Sequence, residues 1–323
     1  MQMPAQKLSV DYNASADTTK PVELQISPDY AGQRLDQALS HLLPCYSRSR
    51  LQQWIRDRHV TVDGGPAQPR LKLRGGETVR IAPQAAPEAL EFAPEPLPLT
   101  ILYEDESILI VDKPAGLVVH PGSGNWHGTL LNALLAHAAA LAQVPRAGIV
   151  HRLDKDTSGV LAVAKTLTAH TSLVRQLQAR TVHREYFAVA RGSITRGGTV
   201  DAPIGRHRTQ RTRMAVVAGG RAAVTHYTVV AQNARATLLR CRLETGRTHQ
   251  IRVHLQSIGH PLIGDPAYGR RAAGVPAFAR QALHAARLAL IHPASGKSMS
   301  WQSPLPTDMR ELLAALELPL PED

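Results

Sequence analysis

The sequence predicts an α+β protein whose main domain is a mixed or antiparallel sheet, preceded by a smaller unit. Three observations lead there. Short apolar runs such as Ile108-Leu109-Ile110-Val111 and Val160-Leu161-Ala162-Val163-Ala164 outnumber long helical patterns, which disfavours a doubly wound sheet. Pro83, Pro87, Pro94, Pro96 and Pro98 gather in one Pro-, Ala- and Glu-rich stretch, 83–98, that reads as a stiff linker. Hydrophobic residues make up 43% of the 323, enough for a core on each side of it.

Residues 1–30 are polar and aperiodic and read as a loosely ordered tail. In the unit over 31–82, Arg34 to Leu43 places Leu35, Ala38, Leu39 and Leu42 at helical spacing. Ser47 is the expected N-cap of a second helix, Arg48 to Arg58. That helix buries Leu51, Trp54 and Ile55 and leaves Arg48, Arg50, Arg56 and Arg58 on its other sides. Strands at Val60-Thr61-Val62 and Glu77 to Ile81, with the turn Asp63-Gly64-Gly65, complete the unit. The domain over 99–323 opens with strands at Ile101-Leu102-Tyr103 and Ile108 to Val111. Leu130 to Val144 reads as one packed helix in which His137 is an ordinary satisfied member. Leu167 to Arg180 is amphipathic through Leu173, Val174 and Leu177, and Tyr186 to Ala190 is a strand. Further strands are expected at Ala222 to Tyr227, Leu238 to Leu243 and Gln250 to His254. Arg206 to Arg213 is a basic loop with no apolar face.

The net charge is +11 and unevenly spread. From Arg175 to His254 there are fifteen arginines, no lysine and three acids, whereas Glu91 to Asp112 holds six acids and no base. Diffuse solubilising charge does not segregate in this way. Nucleic acid is the best-fitting partner, because arginine forks match phosphate geometry. An anionic membrane surface comes second, with no basic amphipathic helix behind it. Cys45 and Cys241 make neither a disulfide framework nor a zinc pattern. No Rossmann fingerprint, P-loop or metal cluster is present, so no cofactor is expected. No run approaches the roughly eighteen apolar residues of a spanning helix, and no leader is evident, which points to the cytoplasm. Aromatics at 4% argue against a base-stacking sheet of the RRM type.

Three stretches carry the chemistry. The loop from Gly148 to Val160 sets Asp154 between Arg152 and Lys155, ahead of an apolar strand. Loops on a rigid scaffold are where chemistry tends to sit, although by spacing alone a charged surface turn is an equal reading. Arg184-Glu185-Tyr186 follows, then Leu243-Glu244-Thr245-Gly246-Arg247-Thr248-His249-Gln250-Ile251-Arg252-Val253-His254-Leu255. Taken in this order, the three resemble the signatures of the RluA-type pseudouridine synthases, and Leu117 to Gly122 resembles that family's first motif. Tyr46 to Leu51, with Val60 to Gly64, resembles the S4 RNA-binding module, and nine bases against four acids between Gly32 and Ile81 agree with it.

The resemblance implies isomerisation of uridine to pseudouridine in large-subunit (23S) ribosomal RNA, by a monomer with no metal or nucleotide cofactor. The reaction breaks the N1–C1′ bond and rejoins the uracil through C5, with no redox change. It needs a nucleophile, which a carboxylate can be, and Asp154 is the candidate. Within the resemblance Arg247 keeps that carboxylate ionised and aimed, and Tyr186 packs on the target base. Arg152 fills the space left when the uridine flips out of its helix. Arg48, Arg50 and Arg56 in the small unit, and Arg206, Arg208, Arg211 and Arg213 in the basic loop, are the expected phosphate contacts.

Two competing readings are weaker. His151, Asp154 and Ser158 have hydrolase-triad side chains but lack a Gly-x-Ser-x-Gly elbow. A binding-only ribosome-assembly factor would not need Asp154, Tyr186 and Arg247 together. Pro145 to Ile149 and the Asp154-Lys155-Asp156 run favour one large-subunit specificity over another that shares the same two domains.

Overall fold

The computed structural model describes residues 21–43, 46, 48–84, 92–122, 125–269 and 274–321. The chain divides into two compact units at Glu91/Phe92.

In the first unit, β1 (Val22–Gln25), α1 (Leu35–Leu42), α2 (Arg48–Arg56), β2 (Val60–Val62), β3 (Gly65–Pro66) and β4 (Thr78–Ile81) form a helix pair on a four-stranded antiparallel sheet ordered β1-β4-β2-β3. The expected tail is therefore too long at its end. Val22, Leu24 and Ile26 alternate apolar with polar, and β1 pairs along β4 with Leu24 opposite Val79. Leu35, Leu39, Leu51, Trp54, Ile55, Val60, Val79 and Ile81 make the core as their spacing requires. Asp63 and Gly64 both take positive φ, as a tight hairpin between β2 and β3 demands. Ser47, the expected N-cap, lies outside the described residues, as do Cys45 and the side chain of Arg50.

Asp36 is fully buried on α1 and accepts hydrogen bonds from Arg34 (2.9 Å), Arg48 (2.8 Å) and Gln52. Burial alone would raise its pKa, but the bonds from Gln52, Arg48 and Arg34 bring it below the usual carboxylate value. Arg48 thus spends its guanidinium on a structural carboxylate. We expect Asp36→Ala to cost the first unit about 3 kcal/mol, because two arginines and a glutamine lose their shared acceptor. Since the folded pKa is depressed, this stabilisation is complete above the unfolded value of 3.8 and is lost as pH falls through the folded one. Denaturant titration of parent and variant at pH 7 and pH 3 checks both points, the difference shrinking in acid.

The second unit contains β5 (Thr100–Glu104), β6 (Ile108–Lys113), α3 (Leu130–His137), β7 (Ser158–Ala164), α4 (Leu167–Gln178), β8 (His183–Arg191), β9 (Gly198–Asp201), β10 (Ile204–Arg206), β11 (Met214–Val216), β12 (Val224–Gln232), β13 (Ala236–Leu243), α5 (Gln250–Ser257), β14 (Leu283–Ile291), β15 (Ser298–Gln302) and α6 (Thr307–Ala315). The large sheet runs β5-β6-β7-β14-β8-β13-β12-β9, with β15 also on β14. Its pairings are antiparallel except β7 with β14, so the sheet is mixed. Both faces are covered, and the alternation along each strand sorts residues between them. Leu109, Val111, Leu161, Val163, Tyr186 and Ala188 face α3 and α5. Ile108, Ile110, Val160 and Ala162 meet α4, while Phe187 and Val189 meet α6.

Three expectations need correction. Gln250 to His254 is helical, the start of α5, because Ile251 and Leu255 lie one turn apart against the sheet. Five residues, Gln-Ile-Arg-Val-His, alternating polar with apolar fit a strand equally well, so period 2 misleads here. The Ala-rich run ends as α-helix at His137, whose ring reaches Glu104 (3.0 Å), and continues as a 3-10 turn over Ala139–Gln143. The far half of the linker is no spacer. Ala93 and Glu95 exchange backbone and side-chain hydrogen bonds with Asn132 of α3, and the Glu95 carboxylate holds His127 and the Gly128 amide.

Gly159 shows how tightly the loop before β7 is set. Its φ is +114°, and a Cβ there would lie 2.1 Å from the Ala285 carbonyl oxygen on β14. Only glycine lets the single parallel pairing of the sheet form at the point where the chain leaves the Asp154 loop.

Candidate active site

The Asp154 loop enters its place through two inward-packed side chains, Leu153 buried and His151 half-buried. Leu153 packs into the α3/α5 core. The His151 Nε2 accepts from the Ala162 amide at 3.0 Å, while desolvation, aided by Arg184, drives its pKa down to about 3. His151 is therefore neutral and structural. Ser158 bonds His284 instead (2.9 Å), which disposes of a hydrolase triad.

Three successive carbonyls then fix the loop. That of Asp154 accepts from Thr157 N (3.1 Å), that of Lys155 from Lys113 Nζ (2.9 Å) and Gly116 N (2.9 Å), and that of Asp156 from Arg280 (3.0 Å). Lys113 is 1% exposed and also donates to Pro114 O (2.8 Å) and Leu117 O (2.9 Å), so its three N–H bonds tie the first motif to the Asp154 loop. Burial pulls its pKa down to about 7, against the fields of Asp156 and Asp154, which raise it. We expect Lys113→Met to lower kcat roughly tenfold or more while RNA affinity is kept, since the loop loses a tether and the RNA loses no contact. Steady-state kinetics beside filter-binding affinities check this, and an equal loss in both would contradict it.

The cation at Asp154 is Arg252, not Arg247. Arg252 donates from Nη1 to Asp154 Oδ2 at 2.9 Å. Its other edge is bidentate to the fully buried Asp265, with Nε at 2.7 Å and Nη2 at 2.9 Å, and its guanidinium lies 5.1 Å from the Tyr268 ring centre. Burial opposes its charge, but Asp265 and Asp154 together raise its pKa. Asp265 is itself anchored by the amides of Ala267 and Tyr268. The Asp154 side chain is 16% exposed, so the loop presents a carboxylate that is sheltered yet reachable. Arg247 faces elsewhere. Its Nε donates to Ala222 O (3.1 Å), and burial followed by the charges of Arg221 and Arg180 lowers its pKa. A helical reading of the third motif would have marked Arg252 as a cation flanking a buried face, and such a cation requires a carboxylate.

Tyr186 stands on β8 with its ring in the same core as Leu153, within the field of Asp154. Burial raises its pKa, opposed by Arg184 and supported by Asp154, so it remains a phenol at neutral pH. Arg184, one turn of the pleat away, donates to the Glu244 carbonyl (3.2 Å) and so joins the second motif to the third. Arg152 is exposed beside Asp154. Arg206, Arg208 and Arg211 are exposed and Arg213 half-buried in the hairpin of β10 and β11, and none has a carboxylate partner among the described residues. In the first unit Arg56 donates to Gln53 (3.0 Å) and has no carboxylate partner among the described residues. Among the described residues no group of three His, Cys, Asp or Glu side chains is placed to hold a metal ion, and no helix is long and apolar enough to cross a membrane.

A sheltered carboxylate gripped by a buried arginine thus stands near a phenol, and the β10–β11 hairpin of the same unit carries arginines with no carboxylate partner among the described residues. Residues 107–257 match the family model for RNA pseudouridylate synthase, and residues 33–79 match that of the S4 domain. The chain is 56% identical over 308 residues to ribosomal large subunit pseudouridine synthase D of Nitrosomonas europaea, covering 94% of this chain and 90% of the relative. It is 53% identical over 303 residues to the protein of the same name from Escherichia coli, covering 90% and 93%. Human RNA pseudouridylate synthase domain containing 4 has the same fold, with a TM-score of 0.56 at 26% identity over 69% of this chain and 95% of that one. The chain belongs to the RNA pseudouridylate synthase family, with an S4 domain ahead of its catalytic domain. It is an isomerase that converts uridine in RNA to pseudouridine.

Proposed function

We propose that the substrate is 23S ribosomal RNA, with the specificity of the synthase D relatives, and that Asp154 is the nucleophile. The observation that carries this reading is the 2.9 Å bond from Arg252 to Asp154 Oδ2. Arg252 is itself oriented by two bonds to Asp265, so it holds Oδ2 in one direction, and Oδ1 takes no hydrogen bond among the described residues. A fixed guanidinium favours the charged carboxylate and aims it, which is what attack on C1′ of the ribose or C6 of the uracil requires.

The reacting atoms are shielded in a stacked helix, so the uridine must leave it. Arg152, which is exposed, takes up the vacated space, and Tyr186 packs against the extruded base. As a phenol Tyr186 supplies a face and a hydroxyl rather than a ready base. The arginines of the β10–β11 hairpin, with Arg56 and Arg50 of the S4 domain, supply phosphate contacts that position the RNA without reading its bases. The enzyme acts as a monomer in the cytoplasm on RNA of the assembling large subunit.

Site-resolved pseudouridine mapping in a strain lacking this chain tests the assignment. The expected result is loss of pseudouridine at clustered large-subunit uridines and its return with the intact chain. Loss at other 23S uridines would mean a synthase C-like specificity. An unchanged map with defective subunit assembly would favour a binding-only role.

A further inference from the structure

His249, the N-cap of α5, is left without work by the catalytic reading. It holds a left-handed backbone conformation, φ +57° and ψ +23°, immediately before Gln250. A non-glycine residue there is strained and persists only where its surroundings impose it. They do so through Tyr268. The Tyr268 hydroxyl accepts from the Met214 amide (2.8 Å) and lies 2.8 Å from His249 Nδ1. The hydroxyl has one hydrogen of its own to give, and His249 Nδ1 is the acceptor that faces it at 2.8 Å among the described residues. The imidazole proton is then on Nε2, on the far side of the ring from Tyr268.

Two further facts place that proton. His249 caps α5 three residues before Arg252, and the Tyr268 ring packs against both, 5.7 Å from the imidazole centre and 5.1 Å from the guanidinium carbon. Arg252 in turn holds Asp154. His249 is half-buried, and burial lowers its pKa more than the neighbouring Asp154 raises it, so the ring is neutral.

We infer that His249 is a further substrate-contacting residue: its Nε2–H donates a hydrogen bond to a carbonyl oxygen of the extruded uracil, with Tyr268 as the positioning residue that fixes the tautomer. The inference rests on the Asp154 reading above. A donor of fixed direction in a sheltered site stabilises charge that builds on the base as its glycosidic bond breaks. The Met214 amide belongs to β11, next to the arginine-rich turn, so the hairpin that meets RNA phosphates also braces the donor.

Two substitutions separate this role from simple bracing. The amide of asparagine sits where Nδ1 does and that of glutamine where Nε2 does, and asparagine tolerates the left-handed conformation. Single-turnover rates and RNA affinities are measured with the full chain and a 23S RNA fragment. His249→Asn should keep the Tyr268 bond yet turn over roughly a hundredfold slower, with affinity and thermal midpoint unchanged. His249→Gln should regain about tenfold of that loss. Tyr268→Phe, which keeps the ring over Arg252, should slow turnover to an intermediate degree. A parental rate for His249→Asn with a slow His249→Gln would overturn the inference and leave His249 a brace. Asp154→Asn run alongside separates the failures. If it turns over, the nucleophile reading falls and this inference with it; if it is dead while His249→Asn is parental, only the inference falls.

Discussion

Arg252→Met should cost the catalytic domain both stability and turnover, whereas Arg247→Met should cost little of either. Removing Arg252 strands Asp265, which is fully buried and receives two of its hydrogen bonds from that guanidinium. Breaking a buried ion pair by removing one partner costs about 3–5 kcal/mol. For a domain of this size that is a fall of roughly 10 °C in thermal midpoint. Asp154 also loses its only ion-pair partner among the described residues, so the surviving folded enzyme should turn over on the order of 10³-fold more slowly. Arg247 donates one bond to a carbonyl, worth about 1 kcal/mol. Its loss should appear in RNA binding, as a salt dependence shallower by about one phosphate contact. Calorimetry and kinetics on the two variants decide between these arginines, and a reversal of the pattern would return the role to Arg247.

Asp154→Asn has the second large effect. Asparagine keeps the shape and can still accept from Arg252, so the loop, tied by its own backbone carbonyls, should keep its geometry. The amide cannot form the transient covalent link, and turnover should fall on the order of 10⁴-fold or more. RNA affinity should stay near that of the parent, because phosphate contacts from arginines supply most of it. A parallel loss of affinity would mean that Asp154 organises the RNA surface rather than the chemistry.

Much of this was legible in the sequence because its signals were local. Apolar runs located β6, β7, β8 and β13, the loop around Asp154 stood out between an apolar strand and two bases, and Tyr186 came with its motif. The short β1 escaped because four alternating residues beside a polar tail carry little periodic signal. α5 was misread because period 2 and period 3.6 coincide over five residues, and that error concealed Arg252. Partnerships across long separations leave no trace in spacing. Asp154 and Arg252 are 98 residues apart, and Lys113 grips a carbonyl 42 residues away. Asp265, Tyr268 and His249 become visible as a support for that pair only when α5 is folded against the loop that follows it.

Tritium release from C5-labelled uridine in a 23S RNA fragment, at saturating enzyme and in a single turnover, reaches the central claim most directly. Forming the new C5 link expels the label, so the signal reports isomerisation itself. With the parent chain the label should appear in solvent, and with Asp154→Asn none should appear above background although the RNA remains bound. Release by that variant at the parental rate would contradict the account.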